Sequence, residues 1–414
     1  MEIPYLILTL VVVAGFYTSF MGGANDLANS FGTSVGSKAL TLRGAVVVAA
    51  CAELAGAVLV GAHVTDTVRK GIVDPTTFAS DPRNVVYGML GAILAAGLFL
   101  QLATHLGLPV SSTHSTVGAV LGFGLIAGGI GCVSWAKMGQ IVASWFVSPI
   151  SGGVLAFILF HFINRNILDA PDPARATRRI MPWMVCIVIS IIVLSFLYKG
   201  LKNLRLHLPL AEALPAAGAV GLLGAATAYL LLRRRPARLI SDPLRSVENQ
   251  FKYLQVLTAC YVAFAHGAND VANGIGPVAA IFAIRQTGEV AMKVPVATWI
   301  LALGGFGIVC GLAIFGANVI RTIGERITEV TPSRGFAAEF AAATTVLVCS
   351  KLGMPISTTH TLVGAVIGVA LARGIGALDL KTVRNIFASW AVTLPATIVL
   401  SMIFYWVLMS VFSW

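Results

Sequence analysis

Charged residues are scarce in this 414-residue chain, making up 11% against 57% hydrophobic residues, and the mean hydropathy is +0.88. A soluble protein needs a charged shell around its core, so this scarcity excludes one. The six cysteines, Cys51, Cys132, Cys186, Cys260, Cys310 and Cys349, form no CxxC pair, and they read as small packing residues instead of thiol-metal or redox groups. No HExxH offers a transition-metal site. A hydrolase is conceivable from the Ser, His and Asp present, yet no GxSxG-like elbow accompanies them, so neither an enzyme nor a cofactor is expected. The apolar segments also lack an Arg placed for bidentate capture of an anion; Lys351, four residues before Pro355, is the nearest cation.

What is abundant is apolar sequence in long runs. A membrane-crossing helix needs roughly 20 mostly apolar residues, and by that criterion about twelve such runs lie between residues 3 and 412. The first has no basic residue ahead of it and no small-residue cleavage site, which favours a retained span over a signal peptide. The net charge of +11 comes from Lys and Arg scattered through short loops, a pattern that orients a membrane protein and does not suggest nucleic acid. With the amino terminus outside, the loops at 38–43, 165–179, 233–252, 321–334 and 373–384 are cytoplasmic and hold 18 of the 28 basic residues. Both termini outside is therefore the expected orientation.

Three strings recur in the same order: GANDLAN at 23 and GANDVAN at 267, PVSSTH at 109 and PISTTH at 355, ASW at 143 and at 388. Their offsets of 244, 246 and 245 residues identify a duplication, and PVSSTHSTVGAVLGFGL agrees with PISTTHTLVGAVIGVAL at 10 of 17 positions. This divides the chain into a first transmembrane repeat (1–163), a linker with two additional helices and polar loops (164–253) and a second repeat (254–414). Five spans in the first repeat and two in the linker deliver the second copy upside down. The expected fold is an all-α integral membrane protein of about 12 transmembrane helices, with two inverted repeats and broken or re-entrant helices at the midplane. The 42 glycines let helices approach closely, and exposed small-residue faces permit a homodimer in the lipid membrane.

An Asp at the bilayer centre costs about 2.5 to 3.5 kcal/mol on insertion scales, so it persists where it meets a cavity, a partner or an ion. On a helix Asn25, Asp26 and Asn29 form one polar patch, as do Asn269, Asp270 and Asn273. Such hard oxygens suit Na⁺, or a proton on the Asp, and Gly22, Gly23 and Gly32 would let the helix break and lend carbonyls. A helix-to-helix hydrogen-bond clamp is the plainer use of the same residues. In the second motif Pro109 and Pro355 favour a first helical turn, followed by Ser111, Ser112, Thr113 and by Ser357, Thr358, Thr359. A helix amino terminus with clustered hydroxyls can bind an oxyanion, or the hydroxyls can simply cap buried helices. His114 and His360 are expected behind those clusters, orienting their neighbours. Glu53 is a further intramembrane acid whose aligned place in the second repeat is Ile308; it can bind a cation, exchange a proton, or pair with His63 or Arg69. Glu339 and Glu212 lie nearer segment ends and are expected at the surface.

At these residues the sequence resembles the inorganic phosphate transporter (Pit) family of sodium- or proton-coupled phosphate symporters. The resemblance rests on the GANDLAN/GANDVAN and PVSSTH/PISTTH pairs, the ASW strings and the stretch from Glu53 to Asp74. It implies inward phosphate transport, with family roles falling on Asn25, Asp26, Asn269 and Asp270 and on Ser111 to Thr113 and Ser357 to Thr359. The family often has a second glutamate in repeat two, and Ile308 leaves that role unfilled. The short insert between the repeats points to a bacterial or archaeal inner-membrane protein. The expected partners are phosphate and Na⁺, with H⁺ the rival coupling ion. Sulfate or a metal-phosphate complex is the rival substrate, and a passive anion channel the rival class.

Overall fold

The computed structural model describes residues 3–69, 71–78, 80–203, 209–234, 242–290, 294, 296–351 and 356–412. Among them there is no strand beyond one isolated bridge between Val73 and Val133, and the chain is built from α1 (Tyr5–Gly36), α2 (Leu42–Arg69), α3 (Arg83–His105), α4 (Ser112–Gly128), α5 (Trp135–Ile163), α6 (Pro173–Asn203), α7 (Leu210–Arg234), α8 (Pro243–Thr287), α9 (Thr298–Phe315), α10 (Ala317–Arg321), α11 (Pro332–Lys351), α12 (Thr358–Ala372) and α13 (Leu380–Val411). Among the described residues eight helices are long and apolar enough to cross a membrane, which makes this a multi-pass membrane protein. The helices that miss the criterion are α4, α8, α11 and α12 besides the five-residue α10. Of these, α4, α10 and α12 are short, α8 carries the GANDVAN motif, and α11 holds Arg334 and Glu339 in its first half.

Local chemistry sets the helix ends. Asp242 caps α8 by accepting from the backbone N–H of Leu244 and Arg245, Pro243 fills the first position, and Gly288 ends the helix at φ +72°. Asp379 caps α13 in the same way through Lys381 and Thr382.

The long helices α1 and α8 run antiparallel: Ser19 lies against Gly274, Asp26 faces His266, and Ser37 donates to Gln255. Each is flanked by a helix from the other repeat at a glycine, where a Cβ on Gly23 would fall on the backbone of Ile308 and one on Gly267 on that of Glu53. Glu53 and Ile308 thus occupy corresponding places, as the alignment has it. The expected helix break does not occur, for α1 and α8 pass through their GAND motifs without interruption. Glycine serves here as a point of close approach instead of a hinge, because two backbones in contact leave no room for a side chain.

Two hairpins enter between these helices. Thr18 donates to the Ile93 carbonyl (2.6 Å) and Asn25 to Thr104 Oγ1 (3.1 Å), so α3 runs parallel to α1. The chain then turns at residues 106–111, helped by Gly107 at φ +64°, and α4 returns with Phe123 against Gly88. The α11–α12 hairpin comes from the opposite end: Ser333 is held by Glu248 near the start of α8, and Arg373 returns to Thr328 and Glu329. That end also gathers Gly36 with Gly324 and Ser37 with Gln255. The other end holds Tyr5 under Arg285, and Phe412, whose carbonyl accepts from Tyr87.

Candidate functional site

The tips of the two hairpins meet the two GAND motifs. Ser111 is the N-cap of α4 and Ser357 of α12, and their hydroxyls accept from the backbone N–H of His114 and His360, each at 3.2 Å. Those two hydroxyls accept the cap bonds and keep their own protons to donate. Pro109 precedes the cap instead of opening the helix, while Pro355 and the side chain of Lys351 lie outside the described residues. The remaining hydroxyls turn to the acids. Asn273 Nδ2 donates to Ser112 Oγ (3.2 Å), Thr113 Oγ1 (3.3 Å) and Asp270 Oδ1 (3.3 Å), and Thr358 donates to Asp270 Oδ2 (3.3 Å). Across the antiparallel pair, Asn29 Nδ2 donates to Asp26 Oδ1 (2.7 Å) and Thr359 Oγ1 (2.8 Å), with Thr359 also 3.4 Å from Asp26 Oδ1. The first repeat's acid thus meets the second repeat's hydroxyls, and the second repeat's Asn273 meets the first's.

Asn25 is placed differently from its expected role. Its amide donates to Thr104 and to the Leu108 carbonyl (3.0 Å) and accepts from Val110 N–H (3.1 Å), so it clamps the α3–α4 turn. Asn269, its counterpart, is half-buried on α8, and residues 352–355 are outside the described residues.

Motif reading missed one central group, His266. Its Nε2 lies 2.7 Å from Asp270 Oδ2 and 3.5 Å from Asp26 Oδ2, and its Nδ1 lies 3.3 Å from Glu53 Oε1. Asp26, His266 and Glu53 are buried, and Asp270 nearly so. Glu53 thus faces His266 and Ser30 (3.4 Å); His63 and Arg69 belong to the residues whose side chains are not described. The signal was available, because the second motif reads HGAND where the first reads GGAND, with Gly22 in the place of His266.

Beside Gly22 the imidazole's counterpart is open space. A Cβ there would meet nothing within 4 Å, and a cavity of about 10 Å³, room for one water-sized occupant, is lined by Ser19, Gly22, Asp26, Ser112, Asp270 and Asn273 among others. Asp26 Oδ2, Asn29 Oδ1 and Glu53 Oε2 have no hydrogen-bond partner among the described residues. Asp26 and Asp270 at the Nε2 side of the imidazole form a donor set suited to a small hard cation, while Glu53 lies at the Nδ1 side.

The two histidines behind the hydroxyls do not reach this cavity. His114 packs at a tilt against Trp145 (4.0 Å between centroids), His360 stacks on Trp390 (3.6 Å), and the two imidazoles meet edge to face at 4.3 Å. Trp390 Nε1 donates to the Pro109 carbonyl (3.0 Å). The ASW strings therefore supply the rings that hold the hairpin tips together.

Glu339, expected at the surface, is fully buried. Because α11 begins at Pro332, it lies about two turns inside the helix. It accepts from Thr33, Ser34 (2.8 Å), Thr258 (2.8 Å) and Gln255 (3.4 Å), joining α11 to α1 and α8. Removing a buried acceptor strands its donors at about 1 to 3 kcal/mol. Glu339→Ala is therefore expected to lower the Tm of the detergent-solubilised protein clearly and Glu339→Gln less; equal Tm values for all three chains would show that the cluster carries no stability.

Comparison with known proteins shows the family. The model of the phosphate transporter family matches residues 22–401. A Pyrococcus horikoshii protein named provisionally as a phosphate permease is 45% identical over 409 residues, covering 99% of this chain and 98% of its own. The Arabidopsis thaliana protein named inorganic phosphate transporter 2-1, chloroplastic, is 42% identical over 427 residues, covering 96% of this chain and 72% of its own. A solved structure titled as the sodium-dependent phosphate transporter superposes with a TM-score of 0.90 at 41% identity, over 98% of this chain and 100% of that one. With the family's model spanning both duplicated motifs and relatives of this identity along nearly the whole length, the chain belongs to the phosphate transporter family, whose members are transporters and not enzymes.

Proposed function

We propose that the protein imports inorganic phosphate across a cytoplasmic membrane by symport with Na⁺, exposing one central site alternately to either side. The observation that carries this reading is the cross-pairing of Thr359 with Asn29 and of Ser112 with Asn273, beside a cavity lined by Ser112, Asp26, Asp270 and Asn273. Ser112, Thr113, Thr358 and Thr359 bind phosphate, and the amino termini of α4 and α12 add their dipoles. Asp26, Asn29, Asp270 and Asn273 hold the coupling ion on the Gly22 side, with Glu53 and His266 fixing Asp270 from behind. Asn25 positions the α3–α4 turn. Neutral donors alone cannot balance a phosphate anion, so each solute binds well only with the other, and this mutual dependence is the coupling.

The repeats, 1–163 and 254–414, are inverted about an axis through this site; the antiparallel α1 and α8 and the hairpins entering from opposite ends support that reading. Residues 164–253 are a linker, and both termini lie outside, so that the basic end of the bundle faces the cytoplasm. One positive charge moved inward is worth about 2.3 kcal/mol per 100 mV, to which a sodium gradient adds. Because the cavity has room for only one water-sized occupant, phosphate binding draws the hairpin tips apart.

Radiolabelled phosphate uptake into proteoliposomes, with Na⁺, H⁺ and sulfate varied one at a time, tests the reading. Flux that ignores sodium but follows pH would replace the coupling ion by H⁺, for which the buried His266–Glu53 pair offers a carrier; flux independent of both would indicate a channel. Changing Ser112 and Thr113 together to Ala removes two hydroxyl partners at about 0.5 to 1.5 kcal/mol each. The phosphate concentration for half-maximal uptake is expected to rise about tenfold, and an unchanged value would dismiss the oxyanion role of α4.

A further inference from the structure

A second cavity, about 880 Å³, lies behind the hydroxyl clusters between α5, α12 and α13. Ser112 and His114 are two residues apart on α4, about 200° around the helix. Ser112 accordingly lines the acid cavity, and His114 lines this one. The floor is the ring stack Trp145, His114, His360 and Trp390 that backs both hairpin tips. The walls are apolar, and no Asp, Glu, Lys or Arg lines them among the described residues. Phe146 (66% exposed), Ile150 (64%) and Val154 (54%) form the mouth on α5, and Val392 and Val399 of α13 are exposed apolar residues too. The mouth is therefore part of the surface that the bilayer's hydrocarbon covers.

We propose that an acyl chain of a bilayer lipid enters this cleft between α5 and α13 and lies on the His–Trp floor, supporting the ring stack that joins the two hairpin tips. The volume is in the range of roughly 300 to 1,000 Å³ typical of sites for small organic ligands, and protein interiors do not leave such space unfilled. A water-borne or charged ligand is disfavoured, since nothing in the walls would replace its hydration. The solvent that reaches the mouth is lipid, whose chains need no such replacement. An occupied cleft backs Trp145 and Trp390 against the imidazoles, and Trp390 passes that constraint to the α3–α4 turn through Pro109.

The test uses the full chain reconstituted with phosphatidylcholine that carries a photoactivatable diazirine at the end of one acyl chain, with labelled peptides mapped by mass spectrometry. Labelling is expected to concentrate on residues 142–157, 364–371 and 387–395. Ile150→Trp, which fills the mouth, is expected to cut it severalfold, while Leu223→Trp on the exposed face of α7 leaves it unchanged. Should Ile150→Trp fail to fold by gel filtration, Ala391→Trp fills the cleft from α13. Label spread evenly over α5, α6 and α7, or cleft labelling that survives the filled mouth, overturns the proposal.

A second measurement rests on the phosphate reading above. Wild-type phosphate uptake is expected to fall severalfold in lipids whose methyl-branched chains are too thick for the cleft, and Ile150→Trp uptake is not. Equal responses of the two chains would overturn the supporting role. Labelling needs no transport, so its failure is distinguishable from failure of the phosphate reading.

Discussion

Asp270→Asn is expected to abolish sodium-driven phosphate uptake, and Asp26→Asn to do the same, with both proteins still inserted in the membrane. Asp270 accepts from Asn273 and Thr358 and contacts His266 at 2.7 Å. An amide in its place turns one acceptor into a donor facing donors and removes a charge from a buried pair. Breaking a buried charge pair by removing one partner costs about 3 to 5 kcal/mol. At 1.4 kcal/mol per tenfold, uptake at a fixed sodium concentration falls at least about 100-fold. Initial rates in proteoliposomes, normalised to the amount of inserted protein, measure the effect. Normal sodium-dependent uptake in both variants would remove these acids from the cation site.

Adjacent glycines are expected to give opposite outcomes. A Cβ at Gly23 falls on the backbone of Ile308, so Gly23→Ala must push α9 away from α1. Overpacking of this kind costs about 1 to 3 kcal/mol, more than the 0.5 to 1 kcal/mol or so that alanine contributes to helix stability over glycine, and the Tm in detergent should drop. At Gly22 a Cβ meets nothing within 4 Å, yet it borders the cavity beside Asp26. Gly22→Ala is therefore expected to leave the Tm level or slightly raised while raising the sodium concentration for half-maximal uptake severalfold, since a methyl group takes a large part of a space of about 10 Å³. Unchanged sodium dependence would place the coupling ion elsewhere.

An oxyanion site beside a cation site was legible from the duplicated strings, because residue types at spacing preserved across 244 to 246 positions carry chemistry that a single copy would not, and phosphate came from the family resemblance of those strings. The correspondence of Glu53 with Ile308 was legible for the same reason. Asn25 was read as a cation ligand because its side chain could serve either use, and only the nearby turn at residues 106–111 supplies the partners that occupy it. Glu339 was misplaced because the apolar run around it starts at residue 336, about one turn after α11 begins at Pro332, so it read as nearer the segment end than it is. The glycines beside Asp26 were read as a hinge because glycine permits both bending and close approach, and the choice depends on whether another backbone is present. At Gly23 the backbone of Ile308 is present, and at Gly22 a Cβ would meet nothing within 4 Å.

By itself the sequence determined the membrane class, the duplication, the polar motifs and the family resemblance, all of which follow from residue type and spacing along the chain. The tertiary structure decided which of those groups meet. Asp26 lies against Thr359 and Asp270 against His266, Ser111 and Ser357 cap their helices, and the two histidines turn to tryptophan. The physical reason is that a hydroxyl, an amide or an imidazole has several uses of similar energy, and its choice among them is made by partners hundreds of residues away that only the folded bundle brings within 3.5 Å.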